Sequence, residues 1–199
     1  MCSAPSWLAA TVTRAASSAC CCCWTWWGST ALAERLGAER FLGFIDRWIH
    51  ALSEPLRASG GQIYRYIGDE IILTWPHTPR SAERALALVQ DLTARLAAEA
   101  EAFHQQFGQA PQMRVAMHAG PVVTGEVGDI KREITYLGDT VNTAARIAGE
   151  CRQHQTLVLA SADSLHGAAL PTGLSRQDLG PVTLRGRSEP VTLALVRAA

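Results

Sequence analysis

Two short β-rich runs, Gln62 to Ile67 and Ile71 to Trp75, close around Gly68-Asp69-Glu70. Gly and Asp supply the turn and branched or aromatic residues supply the strands, so the segment predicts a hairpin. Helical patterns flank it. Before it, Leu32, Leu36, Phe41, Phe44, Trp48, Leu52 and Leu56 recur at three- to five-residue steps between Gly28 and Arg57, with Gly37 as a break. After it, Pro76 and Pro79 end the second strand. Ala82, Leu86, Val89, Leu92, Leu96, Phe103 and Phe107 then mark one face of a long helix from Arg80 to Phe107, closed by Gly108. A hairpin framed in this way constrains the chain to an α+β arrangement with helices covering an antiparallel sheet.

The rest of the chain extends that order. Met113 to His118 and Val122 to Val127 read as strands on either side of Ala119-Gly120-Pro121, and Ile134 to Leu137 as a further strand. Thr140 to Glu150 reads as a helix after Gly138-Asp139. Leu157 to Leu159, Thr183-Leu184 and Val191 to Val196 supply late strands. With a strand ahead of Gly28, the expected fold is a ferredoxin-like βαββαβ sandwich with additional C-terminal strands, its helices on one face.

Composition narrows the function. The 199 residues carry 18 basic and 18 acidic side chains, and zero net charge argues against a nucleic-acid module held by bulk electrostatics. At 48% hydrophobic the chain has ample core. No apolar run reaches the roughly 18–20 residues of a membrane span. Beyond residue 27 Cys151 is the single Cys, which predicts a reduced, cytoplasmic setting. His118 reads as a structural histidine, and Trp48 and Trp75 as packing residues.

Residues 1–27 form an atypical segment. They hold five of the six Cys and four of the six Trp. Consecutive thiols at Cys20, Cys21, Cys22 and Cys23 lack the spacers that let a zinc site close tetrahedrally. A codon argument explains them better. With Cys as TGC, Trp as TGG and Thr25 as ACN, reading from the last base of a GCG codon for Ala19 gives Val-Leu-Leu-Leu-Leu-Asp-(Met, Leu or Val)-Val, then Gly. That is a buried strand ending in a carboxylate. One extra G in the run at Trp27-Gly28 would account for the shift, so the segment to about residue 27 is expected to be out of frame, with one domain over 28–199.

Two groups of residues are candidates for chemistry, against the plainer readings of a local Gly-Asp turn for the first and a solvated polar helix face for the second. Asp69 at the hairpin tip is a candidate ligand for a hard cation. Asn142 and Arg146, four apart after Gly138-Asp139, share a helix face where an amide and a guanidinium suit a phosphate in transfer.

With Gly28-Ser29-Thr30-Ala31-Leu32-Ala33-Glu34, Tyr66-Ile67-Gly68-Asp69-Glu70, Arg114-Val115-Ala116-Met117-His118-Ala119-Gly120-Pro121, Tyr136-Leu137-Gly138-Asp139-Thr140-Val141-Asn142-Thr143-Ala144-Ala145-Arg146 and Leu184-Arg185-Gly186-Arg187, the chain resembles the class III nucleotidyl cyclases from Gly28 to the C-terminus. The resemblance implies a head-to-tail homodimer with active sites in the interface. It implies a phosphorus–oxygen lyase that converts ATP to 3′,5′-cyclic AMP and pyrophosphate for intracellular signalling, with two Mg²⁺ (or Mn²⁺) per site. Carried over, Asp69 is a metal carboxylate, Asn142 orients the ribose and Arg146 meets the α-phosphate. Arg185, or failing that Arg187, grips the terminal phosphates. Ser29 and Thr30 join the substrate-binding set.

Three positions depart from the family pattern. The second metal carboxylate maps to Thr25, which supplies no anionic oxygen, although the shifted frame places an Asp there. Arg65 stands where adenylate cyclases carry the adenine-selecting Lys. Its partner maps to Thr135, a residue usual in ATP enzymes, whereas guanylate cyclases carry Glu and Cys at these two places. ATP is therefore favoured over GTP. The alternative is a catalytically impaired cyclase-homology module that binds nucleotide or a partner.

Overall fold

The computed structural model describes residues 15–26, 28–154 and 156–199. Of the atypical segment, residues 1–14 and Trp27 lie outside the described residues. The elements in chain order are β1 (Ala15–Trp26), α1 (Ser29–Leu36), α2 (Ala38–Ser59), β2 (Gln62–Ile67), β3 (Glu70–Pro76), α3 (Pro79–Ala98), α4 (Ala100–Phe107), β4 (Met113–Val127), β5 (Glu133–Leu137), α5 (Asp139–His154), β6 (Val158–Ser161), α6 (Ala162–Leu165), β7 (Leu174–Val182) and β8 (Val191–Ala198).

One sheet runs β2-β3-β1-β4-β6-β8-β7, with β5 paired to the far half of β4. The first four neighbours reproduce the expected ferredoxin-like order, and β6, β7 and β8 extend it. All pairs are antiparallel except β4–β6. Strand β1 lies at the centre, with Cys22 opposite Leu73 of β3 and Met117 of β4. Its side chains alternate between two cores, as the pleat requires. Cys20, Cys22, Trp24 and Trp26 face α2, α3 and α4, while Cys21 and Cys23 face α5.

That alternation corrects one expectation. The helices do not share a face, because α5 packs on the opposite side through Ala144, Ile147 and Cys151. Both faces of the central strands are therefore apolar, and a second helical layer is what keeps the α5 side dry.

Local boundaries differ in three further places. The stretch from Arg80 to Phe107 is two helices, broken at Glu99 (φ −94°, ψ 0°) with neither Pro nor Gly. There the Arg47 guanidinium of α2 takes the Glu99 carboxylate at 2.8 Å, and the change of direction lays Phe103 and Phe107 against Phe44. Met113 to Val127 is one strand, since β1 pairs with it from Met113 to Thr124 and β5 carries it on to Val127; Pro121 falls between the β6 contact at 115–117 and the β5 contact at 123–127, where its missing N–H breaks no ladder bond to either of these two strands. Thr183-Leu184 is not a strand. The outer edge of β8, opposite β6, is paired by β7, whose polar, exposed residues hid it from a hydrophobicity reading.

Phe44 ties the helical layer to the sheet. Its ring lies 4.6 Å from Trp26 of β1 and 5.6 Å and 5.3 Å from Phe103 and Phe107. It is fully buried. Phe44→Ala should therefore cost about 3–5 kcal/mol in urea denaturation. A loss below about 1 kcal/mol would mean that the aromatic cluster does not join the layers.

Candidate active site

Strand β1 ends beside the β2–β3 turn. The pairing of Trp24 with Ile71 brings half-buried Thr25 level with the start of β3, just after half-buried Asp69. Gly28 then turns the chain from β1 into α1 with φ 76°, the left-handed region that glycine adopts without strain. Ser29 and Thr30 open α1, so their N–H groups lie in the turn that lacks intrahelical partners and favours anions. Ser29, Thr30, Glu34, Leu42, Gly68 and Asp69 line one cavity of about 820 Å³. The structure thus brings together three predicted residues, Asp69, Ser29 and Thr30.

The donor set at this corner does not fit a pair of divalent cations. Asp69 supplies one carboxylate, and Thr25 supplies a neutral hydroxyl. Glu70 is turned inward: burial raises its carboxyl above the ordinary range, against a hydrogen bond with the Cys23 thiol. Among the described residues no three His, Cys, Asp or Glu side chains converge as a metal-binding group.

A second cavity, of about 400 Å³, lies between β2 and β5, lined by Gln62, Tyr64, Arg65, Thr74, Glu133 and Tyr136. The Arg65 guanidinium donates to Glu133 at 3.2 Å and lies 5.2 Å from the Tyr64 ring centre. Glu133 also holds Lys131 at 2.6 Å, and that contact, then Arg65, keeps its carboxyl below the usual range. Thr135 is half-buried in β5, between Glu133 and Tyr136, paired with Gly125. Neither cavity shares a lining residue with the other among the described residues.

The third group stands at the start of α5. Asn142 is exposed, and Arg146 donates to Asp139 at 3.2 Å. Thr143 donates to the same carboxylate at 3.1 Å, and Arg187 reaches both Asp139 and Thr143. Arg185 is exposed in the turn before Arg187. The sequence reading missed Asp139 and Thr143 as partners and ranked Arg187 second. The 139, 143, 146 spacing marks one helix face and was the available signal.

His118 is structural, as expected. Its Nδ1 lies 2.8 Å from the Ser161 hydroxyl, and burial pushes it down to about 4. Cys151 is fully buried, and burial pushes its thiol up to about 12.

This fold and these segments define a nucleotidyl cyclase catalytic domain, and the comparisons agree. The adenylate and guanylate cyclase catalytic domain family matches residues 23–197, and the chain belongs to it. Adenylate cyclase 2 of Rhizobium meliloti (strain 1021) is 37% identical over 172 residues, 86% of this chain and 47% of that protein. Adenylate cyclase 1 of the same organism is 28% identical over 167 residues, 80% of this chain and 24% of that one. The chain thus spans about half the length of the first relative and about a quarter of the second. Among solved structures, the adenylyl cyclase CyaB from P. aeruginosa superposes with a TM-score of 0.81 at 18% identity, covering 94% of this chain and 96% of that one. The guanylyl cyclase Cya2 gives 0.79 at 19% identity, covering 93% and 94%. These likenesses establish the fold. Among the described residues no helix is long and apolar enough to cross a membrane.

His118 generates a pH prediction. The unfolded chain takes up this proton near the ordinary 6.5, the folded chain only near 4, so the unfolded state binds more protons in between. Stability contributed here is present above pH 6.5 and falls as pH drops toward 4. In urea titrations across that window His118→Gln should lose less stability than the parent; an unchanged slope would contradict a buried neutral imidazole.

Proposed function

We propose that this domain is an adenylate cyclase that forms 3′,5′-cyclic AMP and pyrophosphate from ATP at two sites shared across a homodimer. One observation carries the reading. Ser29, Thr30 and Asp69 line one cavity while Arg65 lines another and Arg146 stands in the Asp139 cluster, and this separation of two halves within one subunit supports a site completed by a partner. Exposed apolar side chains border both halves and support such a contact: Leu42, Tyr66 and Ile67 beside Asp69, and Ile134 and Leu137 around Thr135.

The roles follow from side-chain chemistry. The start of α1, with Ser29 and Thr30, holds phosphate oxygens. Arg65 and Thr135 meet the purine edge, Arg65 after exchanging Glu133 for the base. Asn142 orients the ribose, so that its 3′-hydroxyl attacks the α-phosphorus in line and pyrophosphate leaves. Arg146 offsets the charge that builds on the α-phosphate oxygens. Arg185 holds the terminal phosphates. The sequence of Adenylate cyclase 2 from Rhizobium meliloti, at 37% identity, supports ATP as substrate.

Thr25 is the exception, and the strand that carries it supports the shifted-frame reading. Trp24 and Trp26 are buried with indole N–H groups that have no hydrogen-bond partner among the described residues, and the same holds for Trp48 of α2. Each such donor costs about 1–3 kcal/mol. Position by position, the shifted frame amounts to Trp24→Leu, Thr25→Asp and Trp26→Met, Leu or Val. It removes two orphaned donors from the core and adds a carboxylate beside Asp69. Asp69 together with an Asp at position 25 would then suit a pair of Mg²⁺ or Mn²⁺, whose positive charge would favour ionisation of the attacking hydroxyl and offset phosphate charge. The lone carboxylate of the chain as it stands favours a second reading, an impaired cyclase-homology module that binds nucleotide without turning it over.

Two measurements test this. Resequencing the G-run at Trp27-Gly28 should show one G fewer; a confirmed TGG-TGG-GGN run would overturn the shifted frame. Assay of the chain and of Thr25→Asp with ATP or GTP and Mg²⁺ or Mn²⁺ should give cyclic AMP at least about 100-fold faster from Thr25→Asp. Equal rates would contradict the two-carboxylate argument, and silence from both would favour the impaired module.

A further inference from the structure

The Asp139 carboxylate is a hub between two parts of the chain far apart in sequence. It accepts from Arg146 at 3.2 Å and Thr143 at 3.1 Å on its own helix, and from Arg187 in the turn before β8. Arg187 also donates to Thr143 at 2.5 Å.

The turn itself is pinned at both ends. Leu184 is buried in the core beneath α5, and the Arg187 N–H bonds to the Leu184 carbonyl at 3.1 Å. Gly186 takes φ 74°, which closes a four-residue turn from Leu184 to Arg187. Arg185 stands at the exposed corner of that turn, held by Leu184 on one side and the Asp139 cluster on the other.

Charge explains why a carboxylate belongs here. Arg146 and Arg187 are like charges brought onto one surface of α5, and without an anion between them they repel. Asp139 offsets one of the two, leaving a single net positive charge facing solvent. It also sits in the first turn of α5, where the helix dipole favours an anion. Planar guanidinium forks held by fixed acceptors keep their orientation; free ones do not.

We propose that Asp139 is a positioning residue: it aims Arg146 directly and, through Arg187, fixes the turn that presents Arg185, so that the arginine meeting the α-phosphate and the arginine gripping the terminal phosphates are set by one carboxylate. This rests on the cyclase reading above for what the two arginines do. The hub itself rests on the contacts alone.

The test is a double-mutant cycle of Asp139→Asn and Arg187→Ala, made in the Thr25→Asp chain, with thermal midpoints recorded for every variant. Asp139→Asn should lower kcat about 10- to 100-fold, the range expected when a catalytic group is misplaced by about an ångström. Arg187→Ala should chiefly raise the Kd for inorganic triphosphate in Mg²⁺ buffer, with a smaller effect on kcat. The double variant should bind triphosphate no worse than the weaker of the two singles, because both act through one unit. Asp139→Glu should recover part of the kcat lost by Asp139→Asn, which a merely structural residue would not show at an unchanged thermal midpoint. A kcat within about twofold of the parent for Asp139→Asn, or triphosphate effects that multiply in the double variant, would overturn the proposal. If a variant fails to fold, Arg187→Lys replaces Arg187→Ala in the same cycle. Should the parent make no cyclic nucleotide, the cyclase reading fails separately, and independent effects on triphosphate binding would still overturn the hub.

Discussion

Strand β1 bears the rest of the structure. It pairs with β3 over residues 19–24 and with β4 from Ala15 to Trp26, and it feeds two cores with alternate side chains. A strand bonded on both edges and covered on both faces must be apolar along its length. Four cysteines meet that demand, since a buried thiol behaves as a small hydrophobe. Burial raises the thiols of Cys21, Cys22 and Cys23, so they stay protonated and inert in the sheet. The same strand ends at Thr25 beside the Asp69 turn. Its pairing register therefore fixes both the centre of the fold and one corner of the candidate site.

Much of this was legible because the signals were local. The 62–75 hairpin, the break at Gly37 and the apolar stripe of α2 are periodicities and turn residues that act within a few positions. The two-core plan was not legible. Whether α5 shares a side with α2 depends on which face of β1 each residue presents, and consecutive cysteines show no alternation. The break at Glu99 was hidden for a related reason: the Glu99 carboxylate is held there by Arg47, 52 residues away. Strand β7 was missed because it lies at the sheet edge, where only one partner and little apolar surface are needed.

The candidate site divides in the same manner. Asp69, Asn142, Arg146 and Arg65 stood out through motif and spacing. The Asp139–Arg187 contact joins residues 48 apart, and no spacing announces it. These residues lie on or beside β2, β3, β5 and α5, with exposed apolar side chains such as Ile67, Ile134 and Leu137 on the same elements. Such an arrangement is costly for a lone subunit and useful for one that meets a second copy.

The central claim is that a working site draws Asp69 from one subunit and Arg146 from the other. Complementation tests it most directly. In the Thr25→Asp chain, Asp69→Asn and Arg146→Ala should each be silent alone, since every homodimer then lacks a half in both sites. Mixed in equal amounts and allowed to exchange, they should regain about a quarter of the parent rate, because half of the dimers carry one intact site of two. Silence in the mixture, with mixed dimers demonstrated by crosslinking, would contradict a site shared between subunits.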